Sequence, residues 1–146
     1  MTEVAFHFNA PDKLAYACRL LRKAVASGAR VVVTAPAEVL GRLDALLWTF
    51  SQTDFIAHAR HDAEPDVLAA SPVVLAEASG APGLPHRQVL LNLGEGLPAG
   101  FEGYQRVIEV VSLDEADRQR ARGRWKQYTE RGYAILRHDL QLKESP

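Results

Sequence analysis

A single cysteine, Cys18, leaves no disulfide framework and no cysteine metal site, which suits a reducing compartment. Nowhere do about 18 apolar residues follow one another, and Met1 to Phe8 lack a basic region followed by an apolar run. The expectation is a cytoplasmic protein, neither exported by a signal peptide nor associated with a membrane. An excess of charge is missing too: 17 basic residues against 18 acidic ones give a formal net charge of -1. Proteins that coat nucleic acid over their whole surface carry a large positive excess, so any such contact here has to be local.

Chemistry-bearing motifs are equally scarce. No G-x-x-x-x-G-K-[ST] loop occurs, and the turns after Phe8 and Thr34 lack the glycines that let backbone N–H groups close on a phosphate. Gly94 to Gly100 imitates a glycine-rich loop, but Pro98 removes a donor and Glu95 repels an anion, so the segment reads as a turn. His58 and His61 with Asp62 and Glu64 resemble a zinc set only loosely and read as solvated loop side chains. His7, His86 and His138 have no partner visible in the sequence, and no serine occupies a nucleophile elbow. Catalytic, cofactor-binding and metal-binding residues: none are expected.

What is present is an ordinary globular composition, 47% hydrophobic and 24% charged over 146 residues, which predicts one domain over 1–146. Val4, Phe6 and Phe8 alternate as in a strand, and Asn9 and Pro11 open a helix through Leu14, Ala17, Cys18, Leu21 and Val25 that ends at Gly28. Residues 30–34 are a β-branched run suited to a strand buried on both faces, and Thr34 and Pro36 start a second helix through Val39, Leu43, Leu46 and Leu47. Strand, helix, strand, helix predicts a parallel sheet. Further strands are expected at 54–58, 72–76, 88–92 and 105–111, a helical turn at 97–101, and an edge strand or packed segment at 133–136. Residues 59–71 and 77–87 read as flexible loops. The fold class is thus three-layer α/β, with a mostly parallel sheet flanked by helices and no nucleotide-binding loop.

The most informative stretch is 112–133. Ser112 and Glu115 have the spacing of a capping box, Gly132 is placed to stop the helix, and acidic residues crowd its first turns. Ala121, Trp125, Tyr128 and Gly132 form one stripe, and Arg118, Arg122 and Lys126 form the next. Five basic residues and no acidic one lie between Arg118 and Lys126, so the cations of that row stack on one another. A self-repelling basic row beside aromatics points to an acidic partner. A second patch gathers Trp48, Phe50, Phe55 and Ile56 about a helix end, where the choice lies between core closure and an exposed partner surface.

Taken together, Leu43-Asp44…Leu47-Trp48, Phe55-Ile56…His58 and Arg122-x-Arg-Trp-Lys126-x-Tyr128-x-x-x-Gly132-Tyr133 resemble the chi subunit family of bacterial DNA polymerase III holoenzyme, clamp-loader accessory proteins. The resemblance runs from Phe6 to about Tyr133. Ala57 stands where the family pattern has proline, and Trp125 where it has tyrosine, which keeps an aromatic wall. The resemblance implies a Rossmann-like domain without nucleotide, non-catalytic itself, with two protein partners. One is the acidic C-terminal tail of single-stranded DNA-binding protein, ending in phenylalanine and its free carboxylate. By position, Arg122, Lys126 and Arg118 would meet its acidic residues and its carboxylate, with Trp125 and Val111 helping to form the apolar pocket. The other is the psi subunit, which links to the clamp loader, at Trp48, Phe55 and Ile56; a repair helicase is an alternative occupant of that face. DNA contact would be mainly indirect. The competing readings are a degenerate nucleotide-binding or helicase-like enzyme domain and a direct single-stranded nucleic-acid binder.

Overall fold

The structure, a computed structural model, describes residues 2–49, 56–80 and 83–141. Among these residues seven strands form one sheet: Glu3–Ala10 (β1), Val31–Thr34 (β2), His58–Arg60 (β3), Val73–Ala76 (β4), Val89–Asn92 (β5), Arg106–Ser112 (β6) and Ile135–Asp139 (β7). Their order is β3-β4-β2-β5-β6-β1-β7, and every pairing is parallel. Among the described residues four helices cover it: Lys13–Ala26 (α1), Ala37–Thr49 (α2), Pro65–Ala70 (α3) and Glu115–Glu130 (α4).

The alternation of side chains along each strand decides which helix lies where. Val31, Val33, Val73, Leu75, Leu91, Ile108 and Val110 pack with α1 and α2 through Leu14, Ala17, Leu21, Leu40, Leu43 and Leu47. Val4, Phe6, Val32, Val74, Leu90, Val107 and Val111 face the other way, toward Leu68 of α3 and Ala121 and Tyr128 of α4. Both faces are covered, which is why β2 and β4 are buried at every position and read as unbroken apolar runs. Among the described residues no helix is long and apolar enough to cross a membrane.

Several expectations are corrected. Segment 59–71 is not a flexible loop: it holds the end of β3 and all of α3. Pro65 fills the first helical turn, where a missing N–H costs nothing, and Leu68 reaches the core. In 77–87 the described residues carry no helix or strand, yet buried Ser79 accepts the Tyr104 hydroxyl at its carbonyl (2.8 Å) and donates its own hydroxyl to the Ala99 carbonyl. The strand expected at 54–58 is β3, three residues long and shifted to His58–Arg60; 54 and 55 lie outside the described residues. A 3-10 turn at Phe101–Gly103 replaces the helical turn expected at 97–101, entered through Gly100 at φ 76°. The C-terminal edge strand is β7, at 135–139 rather than 133–136, parallel to β1.

Candidate functional site

Helix α4 leaves the sheet directly from β6, and its start differs from the capping box read in the sequence. Asp114 is the N-cap, its carboxylate accepting the Asp117 N–H at 3.0 Å, while Ser112 ends β6. The Asp117 carboxylate reaches back to the Ser112 N–H (2.8 Å) and hydroxyl (2.9 Å) and pairs with the Lys13 ammonium at 3.1 Å. Burial by itself would raise the Asp117 pKa; the Ser112 and Lys13 contacts outweigh it and hold the carboxyl below its ordinary value. At the far end Gly132, at φ 88°, turns left-handed, so that its N–H reaches the Thr129 carbonyl (3.0 Å) and the Tyr133 N–H reaches Tyr128 (3.1 Å). Those two bonds satisfy carbonyls that the helix end would otherwise orphan.

A buried polar knot anchors the middle of α4. Glu109 on β6 is 0% exposed and Arg124 on α4 is 1% exposed, with Arg124 Nε donating to Glu109 Oε1 at 2.9 Å. Asn92 Nδ2 donates to both carboxylate oxygens (3.1 and 3.0 Å), and the Tyr128 hydroxyl to Oε2 (2.8 Å). Burial pushes the Glu109 carboxyl up, opposed by Arg124, Asn92 and Tyr128; burial and the Glu109 charge push the Tyr128 hydroxyl up as well, keeping it a donor. Arg124 Nη1 also holds the Glu95 carbonyl at 2.8 Å, and Asn92 binds both the Gly94 N–H (2.9 Å) and the Gly96 carbonyl (3.1 Å). The glycine-rich segment is thereby tied to the sheet, and its Gly94 donor is engaged internally rather than offered to a phosphate.

With α4 so placed, a groove of about 400 Å³ opens between it and β1 and β7. Phe6, Phe8, Val111 and Ala121 line its apolar part, Trp125 forms a wall, and Arg118, Arg122 and Arg137 stand along it. Phe6 holds the indole, their ring centres 5.0 Å apart and tilted by 58°. Of the residues read from the sequence, Arg118, Arg122, Trp125 and Val111 are brought together here. Lys126 is not among the lining residues; its ammonium lies 3.9 Å from Glu130. Arg122 also has a carboxylate, Glu115, at 3.4 Å, seven residues back. The cationic row is therefore partly paired along its own helix, through spacings that looking four residues N-terminal of each cation did not cover. Both contacts are solvent-exposed, where such pairs contribute about 0 to 1 kcal/mol. Among the described residues Arg118 has no ion pair.

Sequence reasoning missed Arg137, which stands on the edge strand as the direct register partner of Phe6. Alternation would have put Ile135 and Arg137 on one face of the strand had it been extended to 139, but the face they share with Phe6 follows only from the pairing of β7 with β1. It also missed the Glu109–Arg124 pair, because spacing along one chain does not reveal which strand a helix lies across.

The second patch divides. Trp48, near the C-terminal end of α2, is 60% exposed. Ile56 is 2% exposed and packs with the α1 and α2 core, so its side chain is core rather than surface. Phe55 and Phe50 lie outside the described residues. His58 is not a solvated loop residue: Nδ1 faces the Ile56 carbonyl at 2.6 Å and Nε2 faces Asp44 Oδ1 at 2.8 Å, and its ring lies 5.1 Å from that of Trp48. The Asp44 and His58 of the sequence pattern thus meet, and the His58 ring packs against the tryptophan. Among the described residues no cluster of three or more His, Cys, Asp or Glu side chains could hold a metal.

The family model of the DNA polymerase III chi subunit, HolC, matches residues 1–136. The chain belongs to that family. The DNA polymerase III subunit chi of Pseudomonas aeruginosa is 36% identical over 147 residues, an alignment covering 96% of this chain and 98% of that relative. Membership makes the chain an accessory subunit of DNA polymerase III in DNA replication, working in a complex with other holoenzyme subunits. The family pattern quoted from the sequence falls on two structural features, the groove beside α4 and the Asp44–Trp48–His58 cluster.

Proposed function

We propose that the chain is a non-catalytic adaptor that joins the clamp loader, through the psi subunit, to the acidic C-terminal tail of single-stranded DNA-binding protein. The groove beside Trp125 carries this reading: an aromatic and aliphatic floor with arginines along it suits a peptide ending in phenylalanine and preceded by acidic residues. The phenyl ring enters over Phe6, Val111 and Trp125. Arg118 and Arg122 meet the acidic side chains, and Lys126 adds a more distant attraction further along the same helix.

Magnitudes agree with a transient contact. Burying a phenylalanine contributes about 1.5 to 3 kcal/mol, exposed ion pairs up to about 1 kcal/mol each, and ordering a flexible tail offsets part of this. With the tail's main-chain and van der Waals contacts added to these terms, the expectation is weak binding, roughly micromolar or about 8 kcal/mol, that weakens further as salt screens the arginines. Psi would use the Trp48 surface, with Phe55, seven residues further along the sequence, as the second matching position. Trp48 belongs to α2, on the opposite face of the sheet from α4 and toward the β3 edge, so both partners can be held at once.

The test is a titration of the protein with a fluorescent peptide bearing the acidic, phenylalanine-ended tail. Roughly micromolar binding that is lost in high salt and weakened by Arg122→Ala supports the reading. Binding unchanged by that substitution, with single-stranded DNA bound directly instead, would overturn it. Trp48→Ala should remove psi from a co-purified complex while leaving tail binding intact.

A further inference from the structure

We infer that the outer face of α1 is a weak, sequence-independent contact for single-stranded nucleic acid, separate from the groove beside α4 and from the Trp48 surface. Helix α1 turns Leu14, Ala17, Cys18 and Leu21 into the core, which leaves Arg19, Arg22 and Lys23 exposed on its outer side. Lys13–Ala26 holds four basic residues and no acidic one, in a chain whose formal net charge is -1. Lys13 is taken by Asp117. Among the described residues Arg19 and Lys23 have no ion pair. They stand four apart, one helical turn, where like charges repel, so the row gains from an anion that spans it.

Beside these cations runs a row of rings. The Tyr16 hydroxyl is hydrogen-bonded to His7 Nδ1 on β1, and the two ring centres are 5.8 Å apart. The His7 ring in turn lies 4.5 Å from that of His138 on the edge strand β7. His7 is buried, whereas Tyr16 and His138 are half-buried and keep part of their rings open. The Arg19 guanidinium carbon sits 5.8 Å from the centre of the Tyr16 ring, which joins the cationic row to the aromatic one. An acidic peptide would need the cations alone. A single nucleic-acid strand uses both rows, its phosphates on the cations and its unstacked bases on the rings, while a duplex keeps its bases out of reach. Helices α1 and α4 cover opposite faces of the sheet, and β7 is the edge between them, with Arg137 turned to the groove and His138 to the α1 side. A strand on α1 therefore leaves the groove beside Trp125 open.

The experiment follows the fluorescence anisotropy of three labelled probes of equal length at low salt: an oligothymidylate, an abasic oligonucleotide and polyglutamate. They are titrated with the wild-type chain, with the Arg19→Gln, Lys23→Gln double variant and with an Arg118→Gln, Arg122→Gln double variant. The wild type should bind the oligothymidylate with a log–log salt slope of about -2, as roughly three phosphate contacts on a single strand imply. The abasic probe should bind at least about fivefold more weakly, the effect of one stacked base, and polyglutamate more weakly still. Loss of Arg19 and Lys23 should weaken the oligothymidylate at least roughly tenfold and bring the slope to about -0.7, with the melting temperature and tail-peptide binding unchanged. The Arg118, Arg122 variant should keep its oligothymidylate affinity. His138→Ala should lower the preference over the abasic probe without altering the abasic affinity. A wild type that binds no oligothymidylate, or binds polyglutamate equally well, would overturn the inference. So would a loss confined to the Arg118, Arg122 variant, or a preference for bases that His138→Ala leaves intact.

Discussion

Replacing Glu109 by leucine tests whether α4, and with it the groove, is positioned by the buried pair. The substitution leaves Arg124, at 1% exposure, with its charge facing an apolar side chain, and removes the acceptor of Tyr128 and Asn92. Breaking a buried pair by deleting one partner costs about 3 to 5 kcal/mol, because the surviving charge stays desolvated. Against a total stability of roughly 5 to 15 kcal/mol that is a large fraction. For a chain of this size it corresponds to a fall in Tm of roughly 8 to 16 °C. Removing both charges is a different perturbation: Glu109→Leu with Arg124→Met keeps the volume and strands neither ion, and such exchanges are often near neutral. The double variant should therefore regain part of the lost Tm in a thermal melt followed by circular dichroism, the remainder reflecting the Tyr128 hydroxyl and Asn92 amide that still lack their acceptor. It should also still bind the tail peptide, since neither residue lines the groove. A single variant that melts within 2 °C of the wild type, or a double variant less stable than the single, would refute the account of the pair.

Trp125→Ala removes the indole that packs against Phe6 and should weaken the tail peptide by at least roughly tenfold with little change in its salt dependence; Arg118→Ala should do the reverse, a smaller loss with a shallower salt slope. Gly132→Ala places a side chain at φ 88° with nothing crowding it, so backbone strain alone should cost about 1 to 2 kcal/mol in a urea titration. Asp117 has a depressed carboxyl pKa in the folded chain, so its contribution to stability is present above the unfolded value of about 3.9 and is lost as pH falls through the folded one. Asp117→Asn should accordingly be less stable than wild type at pH 7, with the difference shrinking at pH 3; a gap that is constant across that range would contradict the linkage.

Most of the strands and helices α1, α2 and α4 were legible along the chain, because apolar periodicity and glycine or proline punctuation are local properties; the short α3, with one buried leucine, was read as a loop. Val31 to Val33 announce a strand buried on both sides, and Gly132 announces a helix end, without reference to any other part of the molecule. Arg118, Arg122 and Trp125 could be grouped from their helical spacing alone, and the structure gathers them on one groove. Other features depend on which elements become neighbours. Ser112 and Asp114 compete for the role of helix cap at nearly the same spacing, and the length of β6 settles it in favour of Asp114. Ile56 and Trp48 look alike as large apolar residues at a helix end, yet one fills the core under α2 and the other faces solvent. Arg124 sits in the same basic run as Arg122, two residues apart. A helix turns about 100° per residue, so the two point to different sides, and only docking against Glu109 on β6 decides which is buried. Arg137 enters the groove because β7 pairs with β1, a contact between residues more than a hundred positions apart that no local pattern encodes.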